Sequence, residues 1–171
     1  MAGAARRIEA GPVGAGAWAP FGWIPRSDGD PADGQGEERL GFDWADPHLN
    51  VISHGPGEVE RVGEALRCDR LFRHDSHTQA LLVLNCEAVV AVAPATVAFD
   101  DPVDVDSIRA FHLRPMDRFV LHRGTWHWGP HPLGVEPVLL YNLQGRRYAE
   151  DNASVDLAAL GAALDVVVPG R

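Results

Sequence analysis

A series of short apolar runs, each cut off by proline, glycine or a polar pair before it reaches helical length, constrains this chain most. Ala80 to Leu84 and Ala88 to Ala93 are apolar at every alternating position, which fits strands covered on both faces. Asn85-Cys86-Glu87 between them predicts a hairpin, and Pro94 ends the second strand. Further strands are predicted at Ile108 to Leu113, Arg118 to His122 and Pro137 to Leu143, with turns at Arg114-Pro115-Met116-Asp117 and from Thr125 to Gly134. Leu40 to His54 holds Phe42, Trp44, Leu49, Val51 and Ile52, and predicts short strands broken at Asp46-Pro47. One short helix is expected near Val155 to Leu164. Short strands at regular spacing, with no alternating helices, predict an all-β sandwich or barrel.

A chain of 171 residues holds one good core. The Gly- and Pro-rich residues 1–40 are expected to form an arm and loop packed on the rest, with residues 41–171 as the barrel. Ser27 to Glu38 is an acidic, turn-rich patch, whereas Trp18, Phe21 and Trp23 are too apolar for a free linker. All fifteen basic residues are arginine, so a lysine Schiff base to PLP and a phosphate-loop lysine are excluded. No dinucleotide fingerprint occurs, and no nucleotide cofactor is expected. The formal net charge of −9 argues against nucleic acid as a partner. No run reaches membrane-spanning length. Arg6-Arg7 is followed by no apolar segment, so a secretory signal is not expected and a cytoplasmic location is. Cys68 and Cys86 are expected to be reduced, buried thiols.

Four of the eight histidines fall in two segments, Arg73 to Gln79 and His122 to His127. On an extended strand His77 and Gln79 share a face with Leu81 and Val83, while His74 takes the opposite face unless a bulge intervenes. Imidazole and amide oxygen each offer a lone pair, so this pair suits a metal or a carboxylate-bearing ligand. In the second segment a turn at Arg123-Gly124 would bring His122 and His127 near one point. Trp126 and Trp128 would form an apolar wall, and Arg123 would grip a carboxylate. His131, in Gly129-Pro130-His131-Pro132, is a weaker candidate. His48, His54 and His112 have no polar constellation in sequence, and Asp100, Asp101, Asp104 and Asp106 read as a solvated loop.

These segments resemble the ureidoglycolate lyase family, also called ureidoglycolate hydrolase. The resemblance rests on Phe21-Gly22, Arg73-His74 with Thr78-Gln79-Ala80, Arg109-Ala110-Phe111 and, most specifically, His122-Arg123-Gly124-Thr125-Trp126-His127. It spans roughly Trp18 to Asn142. The chain departs from the family by inserting Trp128-Gly129-Pro130 before His131-Pro132-Leu133. The resemblance implies a cupin-like double-stranded β-helix, a jelly-roll barrel. It implies cleavage of a carbon–nitrogen bond in a small carboxylated carbinolamide, ureidoglycolate giving glyoxylate and urea. His122, His127 and Arg123 would be catalytic, and Gln79, Trp126, Arg73 and His74 would bind substrate. A divalent metal, nickel, zinc or manganese, would sit on His77, Gln79, His122 and His127. A homodimer is expected, because sheet edges and the aromatic arm need covering. Two other readings stand beside this one: a cupin-fold binding protein without turnover, and a relative recruited to another lyase, isomerase or cyclase reaction.

Overall fold

Ala88–Ala93 is buried at all six positions. A strand can be dry on both faces only where each face meets its own core, and the fold is built around that requirement. The computed structural model describes residues 5–26, 38–43 and 46–171. Most of the Ser27 to Glu38 patch, and Trp44, lie outside the described residues. The strands are β1 Arg6–Pro12, β2 Gly22–Trp23, β3 Pro47–His54, β4 Arg61–Val62, β5 Ala65–Cys68, β6 Arg70–Arg73, β7 Gln79–Val83, β8 Ala88–Ala93, β9 Arg109–Leu113, β10 Arg118–Leu121, β11 Trp126–Pro132, β12 Val138–Gly145, β13 Ala153–Asp156 and β14 Leu164–Val167. Helix among the described residues is limited to α1, Ala15–Trp18, and 3-10 turns at Pro56–Glu58 and Pro102–Ser107.

Two sheets result, ordered β13-β6-β11-β8-β9-β1-β14-β5-β4 and β2-β10-β7-β12-β3. Within them β3 and β6 to β12 form eight strands whose antiparallel pairs run first with eighth (β3·β12), second with seventh (β6·β11), third with sixth (β7·β10) and fourth with fifth (β8·β9). That nested pairing is the jelly roll, two Greek keys folded face to face. The fold class expected from the strand pattern is therefore observed.

Several local expectations change. β7 and β8 are not a hairpin. β7 pairs with β10 and β12, and β8 pairs with β9 and β11, so the Asn85-Cys86-Glu87 connection crosses from one sheet to the other. Asn85 holds that crossing by donating from Nδ2 to Pro137 O at 2.9 Å and accepting from Leu139 N at 2.8 Å. β3 is continuous from Pro47, because a proline at the first residue of an edge strand removes no ladder bond. The stretch from Thr125 to Gly134 holds a strand, β11, which takes its prolines through a bulge between Trp128 and His131. Val155 to Leu164 is no helix. β13 ends at Asp156, whose carboxylate accepts from Ala159 N at 2.9 Å, and a turn at Gly161, φ +67°, leads into β14.

The two faces of β8 define two cores. Ala88, Val90 and Val92 face the barrel interior with Phe111, Phe119, Leu121 and Leu140. Val89, Ala91 and Ala93 face outward, beneath Trp126, Trp128, Leu71, Leu157 and Leu164. Within residues 1–40, Arg6–Pro12 is itself a sheet strand, pairing in parallel with β9 and β14. Trp18 plugs the interior with no exposed surface, its Nε1 donating to Val120 O at 2.9 Å and its ring 4.7 Å from Phe119. Phe21 lies 5.9 Å from the Trp18 ring. Gly22 lets this segment close down, since a Cβ there would stand 1.7 Å from Val120 O. Both cysteines are free thiols, Cys68 buried and Cys86 partly so. Among the described residues no helix is long and apolar enough to cross a membrane.

Trp18→Ala removes a plug that nothing else fills, a change that costs about 3–5 kcal/mol in cores of this kind. The melting temperature should fall by at least about 6 °C, taking roughly 2 °C per kcal/mol for a chain of this size. Val135→Ala, at a position 89% exposed, should leave it unchanged.

Candidate functional site

Strand alternation alone sends His127 into the barrel. Trp126 and Trp128 on either side of it belong to the outer core, so the residue between them must point the other way. His127 then shares a cavity of about 660 Å³ with His74, Gln79 and Gln144 at one end and His54, Glu58 and His131 at the other. Such a volume suits a small metabolite.

At the first end the His74 and His127 ring centroids lie 5.3 Å apart. Each ring is oriented by a backbone carbonyl: His74 Nδ1 donates to Asp151 O at 3.2 Å and His127 Nδ1 to Thr125 O at 3.2 Å. A carbonyl only accepts, so both rings carry the proton on Nδ1 and a lone pair on Nε2. The chain bends at Asp75-Ser76 after β6, so His74 lines the cavity and escapes the opposite face that simple parity assigns it. His77 is stacked on His74 at 4.8 Å and is 1% exposed. Its Nδ1 stands 3.7 Å from the Asp151 carboxylate, which also accepts from Ser76 N at 2.6 Å. Gly145 makes room for it, since a Cβ there would reach within 3.0 Å of His77 Nδ1.

The floor is a ladder of amides. Gln79 Nε2 donates to Asn142 Oδ1 at 2.8 Å, and Asn142 Nδ2 donates to Asn50 Oδ1 at 2.9 Å. At the second end His54 Nδ1 donates to Glu58 Oε2 at 3.0 Å, and Glu58 Oε1 accepts from Gly55 N at 2.7 Å. Past the β11 bulge, the His131 ring rests 5.5 Å from His54 and 4.5 Å from Trp128.

Burial dominates the electrostatics. Loss of solvent, reinforced by neighbouring imidazoles, lowers His127 to about 3, His77 to about 4 and His131 to about 4. His74 is lowered as well, again first by burial and against the pull of the Asp151 carbonyl. At neutral pH these four rings are uncharged.

The structure gathers the sequence-based candidates unevenly. Gln79, His74 and His127 line the cavity. His77 packs behind His74. His122 is exposed, with its ring 5.5 Å from Trp23; it follows Leu121, whose face of β10 is the inward one, so it is turned outward. It touches the other histidines only across a closed crevice. Arg123 is ion-paired with Asp43 outside the cavity. Trp126 donates from Nε1 to Val97 O at 2.8 Å in the outer core, and Arg73 lies over its ring, 4.7 Å from the centroid. The four residues of the expected metal set, His77, Gln79, His122 and His127, all border that crevice, which is closed even to water. No group of three or more His, Cys, Asp or Glu side chains among the described residues is placed to hold a metal ion. His54, Glu58 and Asp151 escaped the sequence reading. A signal for the first two was present, since His54 and Glu58 are four apart across the Gly55-Pro56-Gly57 turn.

No protein-family model matches the chain, and no curated protein matches it. Among solved structures it is similar to a dTDP sugar isomerase from Desulfovibrio desulfuricans, at 14% identity and a TM-score of 0.46 over 81% of this chain and 82% of that one. An L-ribose isomerase from Cellulomonas parahominis shares 19% identity, TM-score 0.45, over 85% of this chain and 71% of that one. A Lactobacillus farciminis oxalate decarboxylase shares 14% identity, TM-score 0.42, over 70% of this chain and 30% of that one. Likenesses this remote say nothing of substrate, and the jelly-roll assignment stands on the strand pairing itself.

The lowered imidazoles give stability a definite pH dependence. In the unfolded chain His77, His127 and His131 take up protons as pH falls through about 6.5, while in the fold they stay neutral to about 4 or below. Stability should be flat above pH 6.5 and decline below it, each ring contributing up to about 1.4 kcal/mol per pH unit. Melting temperatures recorded from pH 8 to 5 check this, and a curve flat down to pH 5 would contradict the neutral assignment.

Proposed function

We propose that this jelly-roll protein is an enzyme of the lyase or isomerase type, moving a proton on a small oxygen-rich molecule with His127 and His74 as acid–base groups. The pairing of two imidazoles on one cavity wall, each tied at Nδ1 to a backbone carbonyl and open at Nε2, carries this reading. On its own a ring held at about 3 is a weak base. The negative charge that develops on a substrate as the proton leaves raises the ring's affinity for that proton, and the dry surroundings strengthen the effect. One ring accepts the proton at Nε2, and the same ring returns it at a neighbouring atom. Gln79 and Gln144 would orient the substrate from the floor.

Ureidoglycolate is the specific substrate that the sequence resemblance puts forward. In that reaction a cavity imidazole takes the hydroxyl proton at Nε2 as the carbon–nitrogen bond breaks, and the same ring, now protonated, delivers that proton to the departing nitrogen. Neither Arg123 nor Arg73 is placed to hold the carboxylate, which leaves Arg70 on the cavity rim as the guanidinium for that task.

Urea release from ureidoglycolate, and hydrogen exchange from deuterated water into candidate substrates, test the reading. His127→Ala should lower kcat/KM by about 10²–10⁴, the usual contribution of an acid–base group, while His122→Ala should leave it unchanged. Full activity in His127→Ala would overturn the assignment.

A further inference from the structure

Hydrogen-bond donors and acceptors are unevenly shared around the cavity. His74 and His127 each present Nε2 as an acceptor because their Nδ1 protons go to carbonyls. His54 does the same in its neutral form, because its Nδ1 donates to Glu58. Among the described residues the charged side chains on the cavity are Glu58, Asp69 and Arg70, two carboxylates against one guanidinium. An anion would meet a small negative balance and lone pairs where it needs donors.

We propose that the cavity takes an uncharged ligand rich in hydroxyl donors, a polyol or polyhydroxylated carbonyl compound, and discriminates against its carboxylate analogue. Hydroxyl groups answer the lone pairs of His74, His127 and His54, and the same hydroxyls accept from the Asn50 and Gln144 amides on the cavity lining. The inference rests on the acid–base reading only in placing substrate in this cavity. It narrows the substrate class, and it weighs against a free carboxylate such as that of ureidoglycolate.

The test compares xylitol with xylonate, five-carbon chains that differ in one terminal group, by calorimetry and ligand-observed NMR at pH 7.5 on the full chain. Xylitol should bind at least tenfold more tightly than xylonate. His54→Phe should weaken xylitol binding at least tenfold, and His74→Phe should do the same if the His54 variant fails to fold. Equal or tighter xylonate binding, binding of neither compound, or full xylitol affinity in the folded variants would overturn the ligand class. Loss of turnover in His127→Ala alongside xylonate preference would leave the acid–base reading standing while sinking this one. Xylitol preference with full activity in His127→Ala would do the reverse.

Discussion

The two-residue period of β11 is the constraint on which the site depends. Trp126 and Trp128 are large, and both are drawn into the outer core; burying side chains of this size is worth more than any polar contact His127 makes. With their direction set, His127 can only face the barrel interior, where Thr125 O fixes its tautomer. Shifting the strand by one residue would exchange tryptophans for histidine and lose the core and the site together. The bulge after Trp128 then frees the chain to bring His131 against His54, adding a second imidazole cluster to the same cavity.

Burying neutral imidazoles is the second element of the design. Desolvation outweighs the pull of the Asp151 and Glu58 carboxylates, so the rings stay uncharged at neutral pH. Uncharged rings are tolerable in a barrel interior, where imidazolium would need a carboxylate in contact. The amide ladder follows the same logic, since Asn50, Asn142 and Gln79 satisfy one another in sequence. A polar interior assembled this way keeps imidazoles on a cavity wall while the apolar cores on either side of β8 hold the fold.

Much of the fold was legible because strand periodicity is local. The apolar runs at β7, β8, β9, β10 and β12 mark strands wherever they pair. Pairing itself is not local, which is why Asn85-Cys86-Glu87 looks like a hairpin turn yet bridges two sheets. Prolines hid β11 and the start of β3, because a bulge or a first strand position tolerates what a strand interior does not. In the site, His127 and Gln79 follow from alternation. His74 does not, because the bend at Asp75-Ser76 resets the phase. Arg123 and His122 attract attention in sequence by their neighbours, but Asp43 and Trp23 claim them outside the barrel. Glu58 and Asp151 orient histidines from turns, and no period in the sequence announces that.

His74 and His127 face one cavity as neutral rings with the proton on Nδ1. Long-range proton–nitrogen correlation spectra of the protein labelled at histidine nitrogens report tautomer and charge for each ring directly. The expected result is two buried histidines in the Nδ1-protonated form at pH 7, with His127 still neutral at pH 5. Nε2-protonated rings at these positions, or a His127 titrating near 6.5, would contradict it.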